Sequence, residues 1–479
     1  MLIGRKTVVN PQKTSHQNSC STPKTACTDF IMTSQSNGAH GGGLLAIAED
    51  IVQQTQRIAR YLEANGLERP TFASNCTSRP ETLEYAKLQG ELKRSLEDLQ
   101  YLVEGPKRHF RNLACQGYEL AAVSVALDFD FFSIVPAEGS ISLADLAERA
   151  GVDYDRTSRI VRLLATESIF TEPAPGYVAH NPSSYLLHKD EEIRATLHYT
   201  VDEMLKAATA TADTVKASPK TYDSAVTPFT TRHGLPIFNF YEKDTLRSIR
   251  FAKAMAGWAK LNLNIDALKD SFPWGSLNGT VVDVGGGSGK VSITLAQVSM
   301  QLALTPYLFS LAYPPFSPYR PQSFPNLSFI VQDSADMHVA GQSLLTDETR
   351  GRVTFMQHSF FDPQPVGDAA AFILRACALN WCDARVVDMF RALVPGLERC
   401  KPGTPLLIND MILPEQGVLA RDVERGMRQI DMIMLVGFGG KLRTADEFEA
   451  LLKQADERYE IRSVRPEGLM GLVEARLRR

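Results

Sequence analysis

From Thr280 to the C-terminus, short apolar runs alternate with helical text, and that alternation restricts this half of the chain to one class of fold. The string TVVDVGGGSGK is an apolar run ending in a Gly-rich turn, and VSITLAQ follows as a helix. LSFIVQD, VTFMQHSFF, AAAFILRA and TPLLINDMIL are further runs, with helical text between most of them. Continuous apolar runs are strands buried on both faces, so this order predicts a parallel, doubly wound α/β sheet. One segment breaks the rhythm. Residues 298–322 hold one charged residue, five prolines and three tyrosines, where such connections usually take about 2 to 6 residues. Removing them joins SITLAQ to SFPNLSFIVQD as an ordinary helix, loop and strand. Two readings stay open: a retained intron, whose ends Val-Ser-Met and Gln can be encoded by splice-like strings, and a Pro-rich loop.

The N-terminal half reads differently. Residues 1–43 are rich in Ser, Thr, Asn, Gln and Gly without an apolar period, which predicts disorder or a mis-set start, with Met32 as an alternative. Residues 44–270 read as helical. Leu44, Ile47, Ile51, Ile58, Tyr61 and Leu62 form one stripe with Gly66 as a stop, and ETLEYAKLQGELKRSLEDLQYLVEG repeats the logic. Such stripes pack on a partner subunit or on the chain's own core. ISLADLAERAGVDYDRTSRIVRLLATESIF has the rhythm of helix, Gly turn and helix, followed by a short hairpin, which is a winged-helix pattern. Arg156, Arg159 and Arg162 share a face there, as a phosphate contact or as a solvated surface.

Composition narrows the partners. A formal charge of −4 offers no electrostatic ground for a nucleic-acid partner, and no run of about 18 apolar residues supports a membrane span. The seven cysteines are scattered without paired metal spacing, so no metal site is expected, and with no secretory leader the expectation is a cytoplasmic protein.

The strand ending in Asp283, with Gly285, Gly286, Gly287 and Gly289 before a helix, brings backbone close to a ligand at the sheet's C-terminal edge. Lys290 stands where the last glycine of a strict G-x-G-x-x-G would fall. Asp333, at the end of the next strand, is placed to accept hydrogen bonds from ribose hydroxyls. Together these features point to a nucleoside-bearing ligand.

With HSFFDPQPV, NWCD, LLINDMILPE and MRQIDMIMLVGFGGKLRTADEFEALL following in order, the chain from residue 44 onward resembles the fungal and plant small-molecule O-methyltransferases that use S-adenosylmethionine. The resemblance implies an N-terminal dimerisation and winged-helix region (44–270) and a Rossmann-like methyltransferase domain (271–479) working as a homodimer. It also implies that Asp283, Gly285 and Gly287 line the methionine end of the cofactor, Asp333 the ribose, Ser359 and Phe360 the adenine, and Arg375 the outer edge. Met255 and Trp258 fall at substrate-facing positions, and Ser359 departs from the family's usual HDFF.

A second departure concerns chemistry. In the family a histidine before Asp-Trp removes the acceptor's proton, oriented by two acidic residues. Here Leu379 stands at the histidine, Asn380 at the aspartate, Asp410 at the first acid and Leu442 at the second; Trp381 and Asp383 fix the register. Leucine accepts no proton. Candidate substitutes are His358, His180, His188 and His198, with Lys441 and Arg443 beside the lost acid, each also readable as structure or surface. Within the family, fungal pericyclases lacking the histidine close rings on polyketide-derived substrates in a preorganised apolar cavity. The expectation is such a pericyclic cyclisation, with S-adenosylmethionine bound and possible without consumption of its methyl; the alternative is methylation of an acidic phenol or enol of a secondary metabolite. A DNA-binding regulator is the remaining class.

Overall fold

The computed structural model describes residues 43–80, 82–220, 225–262, 268, 271–297, 324, 326–419, 421–465 and 470–479. The expectations for residues 1–42 and for the insert at 298–322 lie outside the described residues.

Helix α1 (Leu44–Ala64) follows the predicted stripe, burying Ile47 and Leu62 against α2 (Leu83–Asp128). The second stretch does not stop at Gly105. Gly105 takes φ 68° and ψ 173°, and Pro106 restarts the helix, so two segments abut at a kink. Glycine occupies positive φ without a Cβ clash, and a proline in a first turn has no N–H to lose. Around the kink Leu96, Tyr101, Leu102, Val103 and Phe110 stay exposed.

The winged-helix rhythm is present. Ser142 and Asp153 cap α3 (Leu143–Ala150) and α4 (Tyr154–Thr166) by accepting the N–H groups of Asp145 and Arg156, and Gly151 ends α3 at φ 67°. Strand β1 (Ile141–Ser142) pairs antiparallel with β2 (Tyr177–Val178). Arg156, Arg159 and Arg162 pair with Asp153, Asp155 and Glu172 of the same region, which leaves them a solvated, charge-matched face. Helix α5 (Glu191–Tyr199) then runs into a π-turn (Thr200–Met204) and lies against α6 (Thr245–Asn262).

Strands β3 (Gly279–Val284), β4 (Leu327–Asp333), β5 (Val353–Gln357), β6 (Ala371–Arg375) and β7 (Pro405–Asp410) are the expected apolar runs, paired in parallel. Two more, β8 (Tyr459–Arg465) and β9 (Gly471–Leu477), were not read from the sequence. The order is β5-β4-β3-β6-β7-β9-β8, with β9 antiparallel to both neighbours, so the sheet is mixed rather than wholly parallel. Val282, Phe372, Leu374 and Ile408 build one core face and Val281, Ile373 and Leu407 the other, as strand alternation requires. Helices α7 (Lys290–Gln297), α8 (Asp383–Arg399), α9 (Arg421–Gly437) and α10 (Ala445–Ala455) complete the elements used below. Because β3 has β4 on one side and β6 on the other, the winding reverses there, and a crevice opens at the carboxyl ends of the strands.

The seam between α5 and α6 leaves no room for a side chain at Gly257: a Cβ would lie 2.1 Å from Thr196 Oγ1 and 2.3 Å from the Glu192 carbonyl. Gly257→Ala is expected to lower stability by about 1–3 kcal/mol. Gly117→Ala, on α2 where a Cβ meets nothing within 4 Å, is expected to raise it by about 0.5–1 kcal/mol. Paired denaturant titrations check both signs.

Candidate active site

At the end of β3 the chain turns through Gly285, Gly287 and Gly289 with φ of 70°, 57° and 75°. The amides of Gly285 and Gly286 donate to the Gln332 carbonyl (2.8 and 3.2 Å) on the neighbouring strand. Asp283 sits behind this turn rather than in front of it. It is 1 % exposed, accepts from Ser292 Oγ at 2.7 Å, and its carboxyl carbon would lie 2.6 Å from a Cβ on Gly286. Burial pushes its pKa up to about 6. Gly287 faces open space, and its amide donates to Asp333 Oδ2 (2.9 Å). The Ser334 amide donates to Asp333 Oδ1 (2.7 Å), so the carboxylate at the β4 end is held by backbone with lone pairs left for hydroxyls.

Beside it, Asp333, His358, Ser359 and Phe360 line a cavity of about 280 Å³. Phe360 packs so closely on the turn that a Cβ at Gly285 would reach its ring at 3.1 Å and Cys377 Sγ at 2.8 Å. Arg375 ends β6 on the other side of the switch. Its Nη1 donates to Asn409 Oδ1, and its Nη2 is buried without a partner. Burial lowers the Arg375 pKa, with Asp283 and then Asp410 opposing. The sequence-predicted cofactor residues are therefore gathered at the reversal of the sheet.

Past Arg375 the backbone takes φ 50° at Ala376 and enters a short 3₁₀ turn, Ala378–Asn380. Leu379 on that turn is 8 % exposed and Leu442 is 2 % exposed. The structure brings both into one apolar cluster with Met411, Met427, Met434 and Met470. Two carboxylates reach its edge, and both are turned onto backbone. Asp410, 1 % exposed, accepts from the amides of Leu379 (3.1 Å) and Met411 (2.8 Å). Asp431 accepts from the amide of Leu442 (2.8 Å). Burial raises the Asp410 pKa to about 6, opposed by the Met411 and Leu379 amides. Asn380 turns its side-chain amide back onto the Ala376 carbonyl (3.0 Å).

Arg443 overturns a sequence expectation: it is a fully buried clamp, not surface. Its guanidinium donates to the carbonyls of Ala378 (2.9 Å), Trp381 (2.7 Å) and Lys441 (3.2 Å) and to Asp383 (3.0 Å). From the same loop Gly440 approaches so closely that a Cβ would lie 2.1 Å from the Leu379 carbonyl. Neither role was read from the sequence, although the capping box of Thr444 and Glu447 that follows fixes where the loop ends. Lys441 stays at the surface on Asp383 and Glu447.

The candidate substitute bases are placed elsewhere or otherwise engaged. His180 bonds Ser184 Oγ and the Val135 carbonyl, with burial lowering its pKa to about 4. His188 bonds the Phe132 carbonyl and His198 the Asp128 carboxylate. His358 stands on the cofactor-cavity side. Met255, on α6, packs on a cluster that includes Tyr199, Phe229 and Val436 and shares Ile433 and Phe438 with the Leu379 cluster; Trp258 is half-buried one turn further on. Among the described residues no group of three or more His, Cys, Asp or Glu is placed to hold a metal ion, and no helix is long and apolar enough to cross a membrane.

The raised pKa values of Asp283 and Asp410 have a definite sign. The folded state holds these protons more tightly than the unfolded state, so their contribution to stability declines as pH rises from about 4 to about 6 and is flat above. Asp410→Asn is expected to show a smaller stability loss than wild type over that interval, measured by denaturant titration at each pH. Arg443→Lys, which keeps the charge but not four directed donors, is expected to cost about 2–4 kcal/mol in the same assay.

Comparison with known proteins places this arrangement. Residues 320–457 match the model of the O-methyltransferase domain. The chain is 47% identical to "O-methyltransferase sol2" of Alternaria solani, over 92% of this chain and 98% of that protein. It is 30% identical to "O-methyltransferase aoiF" of Aspergillus oryzae, over 78% and 84%. In fold it is similar to OxaC (TM-score 0.68, 19% identity, 91% of this chain and 99% of that one). It is also similar to LepI in its complex with SAM (TM-score 0.66, 18% identity, 90% and 100%) and to a structure described as "A Pericyclic Reaction enzyme" (0.64, 17%, 90% and 100%). With nearly the whole length of the Alternaria protein matched at that identity, this chain belongs to the O-methyltransferase family.

Proposed function

We propose that this enzyme holds S-adenosylmethionine at the switch point of its sheet and methylates a hydroxyl oxygen that arrives already ionised, on an acidic phenol or enol of a small polyketide-type compound. The residues fit such a nucleoside: Gly287 is open toward the crevice, Asp333 keeps lone pairs for ribose hydroxyls, and Phe360 and Ser359 border a cavity beside them. Asp283 and Gly285 shape the turn for the methionine end from behind, and Arg375 stands at the outer edge with an uncommitted Nη2. When bound, S-adenosylmethionine supplies a methyl group on a positively charged sulfur.

One observation carries the reading: Leu379 and Leu442 belong to one apolar cluster, and of the carboxylates at its edge Asp410 is held by two backbone amides and Asp431 by one. A general base contributes roughly 10²–10⁴ in rate, and a wall of leucine and methionine contributes none of it. The wall can exclude water and hold an anionic oxygen in line, which suffices when the acceptor brings its own negative charge. Met255 and Trp258 bound the guest from the helical side. The exposed apolar residues around the α2 kink support a homodimer built through residues 44–270, with 271–479 carrying the chemistry.

A second reading is favoured by the fold likeness to the pericyclic-reaction enzyme: the same apolar chamber closes a ring on its guest without transferring the methyl. Mass spectrometry of purified protein incubated with S-adenosylmethionine and a series of hydroxyl acceptors of graded acidity separates the two. Methylated product is expected, with kcat/KM falling as the acceptor pKa climbs above the assay pH. An isomer of equal mass would establish ring closure instead, and equal rates on weakly acidic phenols would reveal a base. Leu379→His combined with Leu442→Glu is expected to extend methylation to ordinary phenols by about 10-fold or more.

A further inference from the structure

The core residues of the apolar cluster, Leu379 and Leu442 included, are each between 1 and 9 % exposed. A compound that is to reach Leu379 must therefore displace a bordering side chain. Ala376, Leu419, Ile430, Ile433 and Phe438 are half-buried apolar residues packed on the cluster. The Ala376 amide is fixed on the Asn409 carbonyl (3.0 Å), and Ile430 and Ile433 sit on the backbone of α9. Leu419 borders this cluster alone, whereas Ile433 and Phe438 also pack on the second cluster, the one that takes Met255 at its edge.

Phe438 differs from the other four in its backbone. It lies just past the end of α9, with Gly437 before it and Gly439 (φ 66°) and Gly440 after it, so neither chain neighbour has a Cβ to confine the ring. The main chain itself is anchored, since the amides of Phe438 and Gly440 both donate to the Met434 carbonyl (3.0 and 3.3 Å). What can move is the side chain, between staggered rotamers. Its ring meets that of Phe238, on the short helix Ile237–Glu242, with centroids 5.9 Å apart and planes at 58°. Phe238 is 51 % exposed and is backed by Phe251 of α6 (6.4 Å, 81°), so the ring pair reaches from the cluster to solvent. We propose that Phe438, backed by Phe238, is a specificity-determining gate: the two rings part to admit a flat, apolar acceptor to Leu379 and close behind it. This rests on the reading that the acceptor is held against Leu379 and Leu442. A tilted ring pair is a contact that a conjugated guest can replace as it passes, and reclosure keeps water from the guest.

Stopped-flow binding of 4-nitrophenolate, and of a 4-nitrophenolate bearing an alkyl chain meta to the oxygen, to the full chain saturated with S-adenosylhomocysteine tests the gate. Wild type is expected to admit the bare anion faster. Phe438→Ala and Phe238→Ala are each expected to narrow that difference in on-rate by about 3- to 10-fold, the range of one aromatic pair, and Phe438→Trp to widen it. Thermal melts report the folding of each variant, and methyl transfer from S-adenosylmethionine to the same two phenols reports the reading beneath. An unchanged on-rate ratio in both folded alanine variants, with methyl transfer in wild type, overturns the gate alone. Weaker binding of both anions alike at unaltered on-rates also overturns it, because a merely structural role gives that result. Wild type that neither binds nor methylates the two phenols overturns both readings.

Discussion

The backbone from Ala376 to Trp381 is the part on which the active-site architecture depends, because it is short, partly left-handed, and buried between three other segments. Asp410 receives the Leu379 amide, Arg443 donates to the carbonyls of Ala378 and Trp381, and Gly440 lies against the Leu379 carbonyl without space for a side chain. Each of these groups would cost about 1–3 kcal/mol if buried unpaired. A buried guanidinium or carboxylate is weak evidence of net stabilisation, since desolvation offsets much of its attraction. Its effect here is conformational: the turn has one arrangement that satisfies every group, and that arrangement places Leu379 in the apolar cluster that also holds Leu442.

The same polar groups fix the edge of the apolar cluster around Leu379 and Leu442. A carboxylate accepting two amides is held in place, and its proton affinity is set by burial rather than by an incoming ligand. The four buried methionines of the cluster add adaptable apolar surface, since an unbranched thioether fills irregular space at little rotamer cost. The cofactor side, by contrast, is polar and preorganised, with amides and carboxylates bonded to one another around a glycine turn.

Much of this was legible beforehand. The parallel strands, the Gly-rich turn at Asp283, the acid at Asp333 and the helix–turn–helix with its hairpin follow from hydrophobic period, glycine placement and capping residues, which act over a few positions. The paired replacement of Leu379 and Leu442 was legible only through resemblance, since nothing in either string alone says that the two residues meet. The antiparallel β9 was missed because GLVEARL carries a charge in a buried strand, where Glu474 is reached by Arg476 (2.7 Å) and by Ser463 of β8 (3.3 Å). The continuation of α2 past Gly105 was missed because a Gly-Pro pair reads as a terminus, whereas here it joins two helical segments across a kink.

The sequence by itself determined the element types and the chemical inventory, because backbone preference and side-chain alternation are local properties. Tertiary structure decided which groups are spent and which are free. Arg443 and Asp410 look equally available for chemistry in the linear string, and only their burial against an amide and a carbonyl 31 and 65 residues away removes them from it. His358 is the reverse case: one of four candidate histidines in the linear string, it is the one of them whose ring nitrogen the fold buries without a hydrogen-bond partner.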